Sequence, residues 1–115
     1  MNAESLRQLV ANCLNSDRRY LGFPRDWVPH KVKNPDGGFF PYFSDASAWE
    51  FIADRLKANH PYEVITMDEP KGALAIVMHI QLTPEDPLLY VKVQIGVANK
   101  AVGRSFHYSE HYQKT

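Results

Sequence analysis

The sequence predicts an α+β fold: two helices packed on one face of a four-stranded antiparallel meander, with an aromatic-rich irregular arm between the helices. Three observations carry this. Apolar residues recur at helical spacing in two segments of the first half. Beyond Pro61 the apolar period drops from about 3.6 to about 2, the change from helix to strand. The connections between the period-2 runs are about five residues long, which suits hairpins rather than parallel crossovers of a dozen or more.

Residues 5–15 read as the first helix, because Leu6, Leu9, Val10, Cys13 and Leu14 fall on one stripe. Residues 16–43 break every pattern with Gly22, Pro24, Pro29, Pro35, Gly37, Gly38 and Pro41. They also carry Tyr20, Phe23, Trp27, Phe39, Phe40, Tyr42 and Phe43, rings that a disordered linker lacks. The expected structure is a packed irregular arm with a tight turn at 34–38, in which Asp36 is a turn former. Residues 45–58 form the second helix. Ser44 is the N-cap, Asp45 suits the positive end of the dipole, and Trp49, Ile52, Ala53 and Leu56 make the buried stripe. Asn59 suits a left-handed cap and Pro61 blocks continuation. Strands follow at 62–67, 74–82, 88–95 and 101–108, joined through 68–72, 83–87 and 96–100.

The whole chain, 1–115, is expected to be one domain, since 115 residues suffice for one core and not two. Thirteen basic residues balance thirteen acidic ones, so charge alone argues for neither nucleic acid nor a membrane surface as partner. The single cysteine, Cys13, excludes an intrachain disulfide and sits on the apolar stripe, as a buried thiol would. No apolar run reaches a membrane span and the N-terminus lacks a signal peptide's apolar stretch, so no membrane association and a cytoplasmic location are expected.

Chemistry concentrates at the C-terminal end. In the third strand, Leu89, Val91, Val93 and Ile95 take the helix-facing parity, leaving Tyr90, Lys92 and Gln94 on the other face. The fourth strand leaves two alternatives. If Val102, Phe106 and Tyr108 point inward, Ser105 and His107 join Lys92; if they point outward, Arg104 does. A solvated sheet face carries such residues for no catalytic reason as well. His107 has the strongest individual claim, because imidazole titrates near neutral pH. Of His30, His60, His79, His107 and His111, only the last two are four apart, and they fall in a strand and a tail rather than on a helix, so no metal site is expected. No phosphate-binding glycine loop and no nucleophile elbow is present.

Through the run Tyr90-Val91-Lys92-Val93-Gln94-Ile95 and the Ser-Phe-His signature within Gly103-Arg104-Ser105-Phe106-His107-Tyr108-Ser109, the chain resembles the RelE/MqsR-like toxins of bacterial toxin–antitoxin pairs. These are compact α+β ribonucleases with helices ahead of a small antiparallel sheet. The resemblance spans residues 45–110 and lies in pattern. It implies cofactor-free, metal-independent cleavage of messenger RNA, an antitoxin partner that covers the site, and Lys92, Tyr90, Arg104 and His107 as the catalytic set. In such a set His107 is base or acid, Lys92 and Arg104 hold the phosphate, and Tyr90 donates a proton or stacks a base. The balanced charge and the aromatic arm, which have no counterpart in such toxins, fit a second class: a non-catalytic protein-binding module, immunity- or antitoxin-like, or an adaptor that homodimerises through the sheet.

Overall fold

The computed structural model describes residues 1–32 and 43–109. In chain order these form α1 (Ala3–Cys13), β1 (Arg19–Trp27), a single 3-10 turn (Pro29–Lys31), α2 (Asp45–Lys57), β2 (Glu63–Thr66), β3 (Leu74–Ile80), β4 (Leu89–Val97) and β5 (Lys100–Tyr108). Both helices lie on one face of the sheet, as the α+β reading requires.

Helix α1 starts two residues earlier than its apolar stripe suggests, because Asn2 caps it: Asn2 Oδ1 accepts from the Ser5 amide at 2.7 Å. At the other end the Arg19 guanidinium donates to the Cys13 carbonyl at 2.6 Å, satisfying one of the open C-terminal acceptors. Helix α2 begins at Ser44 through a reciprocal box with Ser47. It ends where Asn59 turns left-handed (φ 61°) and the His60 amide reaches back to the Arg55 carbonyl at 3.0 Å.

Among the described residues the sheet has five strands, in the order β1-β5-β4-β3-β2. Strands β2 to β5 form the expected antiparallel meander. The expectation of four strands is corrected by β1, which pairs in parallel with β5. Residues 19–27, read from sequence as irregular, are therefore an edge strand. Gly22 and Pro24 hid it. They fall where the register jumps from Leu21↔Gly103 to Asp26↔Ser105, so 22–25 bulge out opposite Arg104 alone. An edge strand tolerates proline at such a bulge, because the missing ladder bond is not needed there.

Two irregularities shape β5. Arg104 is an extra residue between the pairs Lys92↔Ser105 and Val93↔Gly103. Phe106 and Tyr108 therefore face the helices as Val91 and Leu89 do, while Val102, on the far side of the bulge, faces away with Gln94. The other irregularity precedes the two-residue turn at Ala98 and Asn99, both at positive φ, which closes the β4–β5 hairpin.

The core lies between the helices and the sheet. Ile52 and Leu56 of α2 are fully buried with Ile76, Met78, Val91, Val93 and Phe106. Rings fill the β1 side: Trp27 stacks at 4.9 Å from Trp49 and 5.5 Å from Phe106, and Phe43 meets Phe106 edge-on at 5.0 Å. Trp27 and Phe43 thus do what was expected of the arm's aromatics. The turn expected at 34–38, with Asp36, and the rings of Phe39, Phe40 and Tyr42 lie outside the described residues. Leu74 shares the helix-facing parity of Ile76 and Met78 but is 46% exposed, at the end of β3 beside a cavity next to α1.

Candidate active site

On the sheet face away from the helices, strand register builds two parallel rows. The first is His79–Tyr90–His107, directly opposed across β3, β4 and β5. Ring centroids are 5.4 Å apart for His79 and Tyr90 and 5.6 Å apart for Tyr90 and His107. The second row is Glu63–Val77–Lys92–Ser105–Asp26, one residue from each strand. Lys92 is the diagonal neighbour of His107, a relation that puts the two residues about 7–8 Å apart, within reach of long side chains.

Between β4, β5, the end of β1 and the 3-10 turn lies a cleft of about 660 Å³. Its polar lining includes Asp26, Lys31, Tyr90, Lys92, Ser105 and His107. The inward alternative for β5 holds for Phe106 and Tyr108 but not for Val102: Ser105 and His107 accompany Lys92 and Tyr90, and the bulge leaves Arg104 on that face as well. Asp26 and Lys31 are additions that sequence reasoning missed. They belong to the segment read as an irregular arm, and only its pairing with β5 carries them to the site.

His107 is held in one tautomer. Its Nδ1 lies 2.7 Å from the Tyr108 carbonyl, which can only accept, so Nδ1 donates there and the neutral ring offers Nε2 as its acceptor. Tyr90 beside it and the buried Ser105 hydroxyl complete a set with a base, a phenol and two ammonium groups around one cavity.

Arg104, the fourth candidate, is on the same face but does not line the cleft. Its Nε and Nη2 donate to Gln94 Oε1 at 2.9 and 2.6 Å, and its Nη1 donates to the Gly22 carbonyl at 2.9 Å. The bulge aims this guanidinium at β4 and at the looped-out part of β1. Gln94 is only 4% exposed, so Arg104 satisfies an amide oxygen that would otherwise be buried alone.

Two further cavities open on the sheet. One, about 230 Å³, lies at the β2–β3 edge of the same face and is lined by His60, Pro61, Tyr62, Glu63, Val77 and His79. The other, about 400 Å³, lies on the helix side between α1 and the ends of β2, β3 and β4, and is largely apolar. Cys13 faces none of them; burial pushes its thiol up to about 12, against the opposing pull of Arg19, so it carries no thiolate chemistry near neutral pH. Among the described residues no three His, Cys, Asp or Glu side chains cluster as metal ligands, and no helix is long and apolar enough to cross a membrane. His111 lies outside the described residues. Compared with protein-family models, with characterised proteins and with solved structures, the chain matches none.

Proposed function

We propose that the cleft cleaves RNA by internal transfer, without a metal, and that the protein is a small bacterial toxin-like endoribonuclease of a toxin–antitoxin pair. The observation that carries this reading is the fixed tautomer of His107 beside Lys92 in a polar cavity. Nε2 of His107 takes the proton of a ribose 2′-hydroxyl. The 2′-oxygen attacks the adjacent phosphorus, and Lys92 and Lys31 stabilise the charge that gathers on the phosphoryl oxygens. The bond to the 5′-oxygen breaks, and the Tyr90 phenol supplies the proton that this oxygen takes up. The products are a 2′,3′-cyclic phosphate and a 5′-hydroxyl. Arg104 serves as a positioning residue, fixing the bulge that aims Ser105 and His107.

The test is incubation of the purified protein with single-stranded RNA in the presence of a chelator. Cyclic-phosphate products are expected, and a 2′-deoxy substitution at the cleaved nucleotide should abolish them. Intact RNA at high protein concentration, with unimpaired growth of a bacterial host expressing the chain, would overturn the reading.

A second reading, a non-catalytic protein-binding module, draws on a different observation. Val64 and Leu74, 43% and 46% exposed, border the apolar helix-side cavity beside the open edge of β2. It predicts a second copy of the chain docked there, seen as a dimer in solution that Leu74→Lys dissociates.

A further inference from the structure

We infer that the small cavity at the β2–β3 edge is a base subsite selective for guanine, taking a base close to the phosphate that reacts at His107. The inference deepens the nuclease reading and rests on it for the position of that phosphate.

Size comes first. At about 230 Å³ the cavity is below the ~300–1,000 Å³ of sites for drug-sized ligands, so it suits one flat ring system. Its lining suits a flat ring too. His60, Tyr62 and His79 line it with rings, on which a base could stack, and the nearly buried Val77 adds apolar surface.

Hydrogen-bonding character then selects among the bases. His60 Nδ1 donates to the Pro61 carbonyl at 2.8 Å, so the neutral ring offers Nε2 as an acceptor. Glu63 adds a carboxylate, which when ionised only accepts. Guanine alone presents two adjacent donors, N1–H and N2–H, on its Watson–Crick edge. They match the two oxygens of a carboxylate. Adenine and cytosine each present one donor beside an acceptor, and uracil one donor between two acceptors.

Position links this subsite to the cleft. His79 lines the small cavity, while Tyr90 and His107 line the cleft. The three rings form one unbroken row in steps of 5.4 and 5.6 Å. A single strand lying along the row reaches both cavities. Charge follows the same direction: the Glu63 carboxylate on β2 and the Lys92 ammonium on β4 flank Val77 in the second row. A donor-bearing base at one end and an anionic phosphate at the other complement that polarity.

The test measures binding of short single-stranded oligonucleotides in all-2′-deoxy form, which internal transfer cannot cleave. A strand with one guanine should bind about 10-fold or more tightly than its adenine counterpart, as a paired two-bond contact implies. Inosine, which lacks the N2 amine, should lose most of that preference in the unaltered protein. Glu63→Gln, at an exposed position, should abolish the guanine preference while leaving the adenine strand's affinity unchanged. A guanine-to-adenine ratio that Glu63→Gln does not alter, or a loss shared equally by all sequences, overturns the subsite even if RNA cleavage stands. Absence of cleavage of any ribo-oligonucleotide, with the guanine preference intact, overturns the nuclease and supports the subsite.

Discussion

Arg104 grips Gln94 with two prongs: its Nε and Nη2 share one amide oxygen, at 2.9 and 2.6 Å, while its third nitrogen holds the Gly22 carbonyl. This one side chain joins β4, β5 and the looped-out part of β1. Arg104→Ala strips the bonds from a buried amide and should cost about 1–3 kcal/mol, read as a lowered urea midpoint. Arg104→Lys should recover only part of it, because an ammonium cannot span the fork.

On the proposed nuclease reading, His107→Ala should reduce RNA cleavage about 100-fold or more, the usual contribution of an acid–base group. His107 is only half-buried at the cleft, so the thermal midpoint should shift little. A cleavage loss matched by unfolding would remove His107 from the chemistry.

Gly103 lies beneath the rings of the β1 side. A Cβ built there would sit 2.8 Å from both Leu21 Cδ2 and Trp27 Cζ3. Gly103→Ala should therefore destabilise by about 1–3 kcal/mol through overpacking, with increased Trp27 fluorescence quenching by solvent as β1 loosens.

Trp49, nearly buried against Trp27, anchors α2 to the sheet. Trp49→Ala should cost about 3–5 kcal/mol. A loss near 1 kcal/mol in denaturant titration would show that α2 can repack without it.

The Cys13 thiol gives a pH signature. Its native pKa is raised to about 12 from an ordinary value of 9.0, so the unfolded state loses that proton first. The stability contribution is complete below pH 9 and declines between about 9 and 12, by no more than ~1.4 kcal/mol per pH unit. The alkaline slope of unfolding free energy should be shallower in Cys13→Ala. Equal slopes would show that the thiol is hydrated in the native state.

Much of this architecture was legible in the chain. Ser44 and Asn59 bracket α2 because caps depend on local side-chain chemistry. The alternation of Leu89 to Ile95 fixed the face of Tyr90 and Lys92, since β4 is regular through Lys92. Parity failed at Val102 because one extra residue, Arg104, inverts every side chain before it, and a bulge leaves no mark on the apolar period. β1 was illegible for another reason. Its strand character comes from pairing with β5, not from its own glycine- and proline-bearing residues. Asp26 and Lys31 went unseen with it, so the part of the cleft's wall that this segment builds had no sequence signal.

The parallel pairing of β1 with β5 also governs when the cleft comes into being. The bond from Arg104 to Gly22 closes a separation of 82 residues. The β2–β5 meander, in contrast, forms from near neighbours along the chain. Loop-closure entropy and contact order both put such a distant closure late in folding. During synthesis β1 emerges early and must wait for β5 before it has an edge to join. Lys31 and Asp26 then meet Lys92 and His107 for the first time. A nascent chain paused anywhere before β5 holds only part of the cleft's wall, and the pairing that completes it waits for β5.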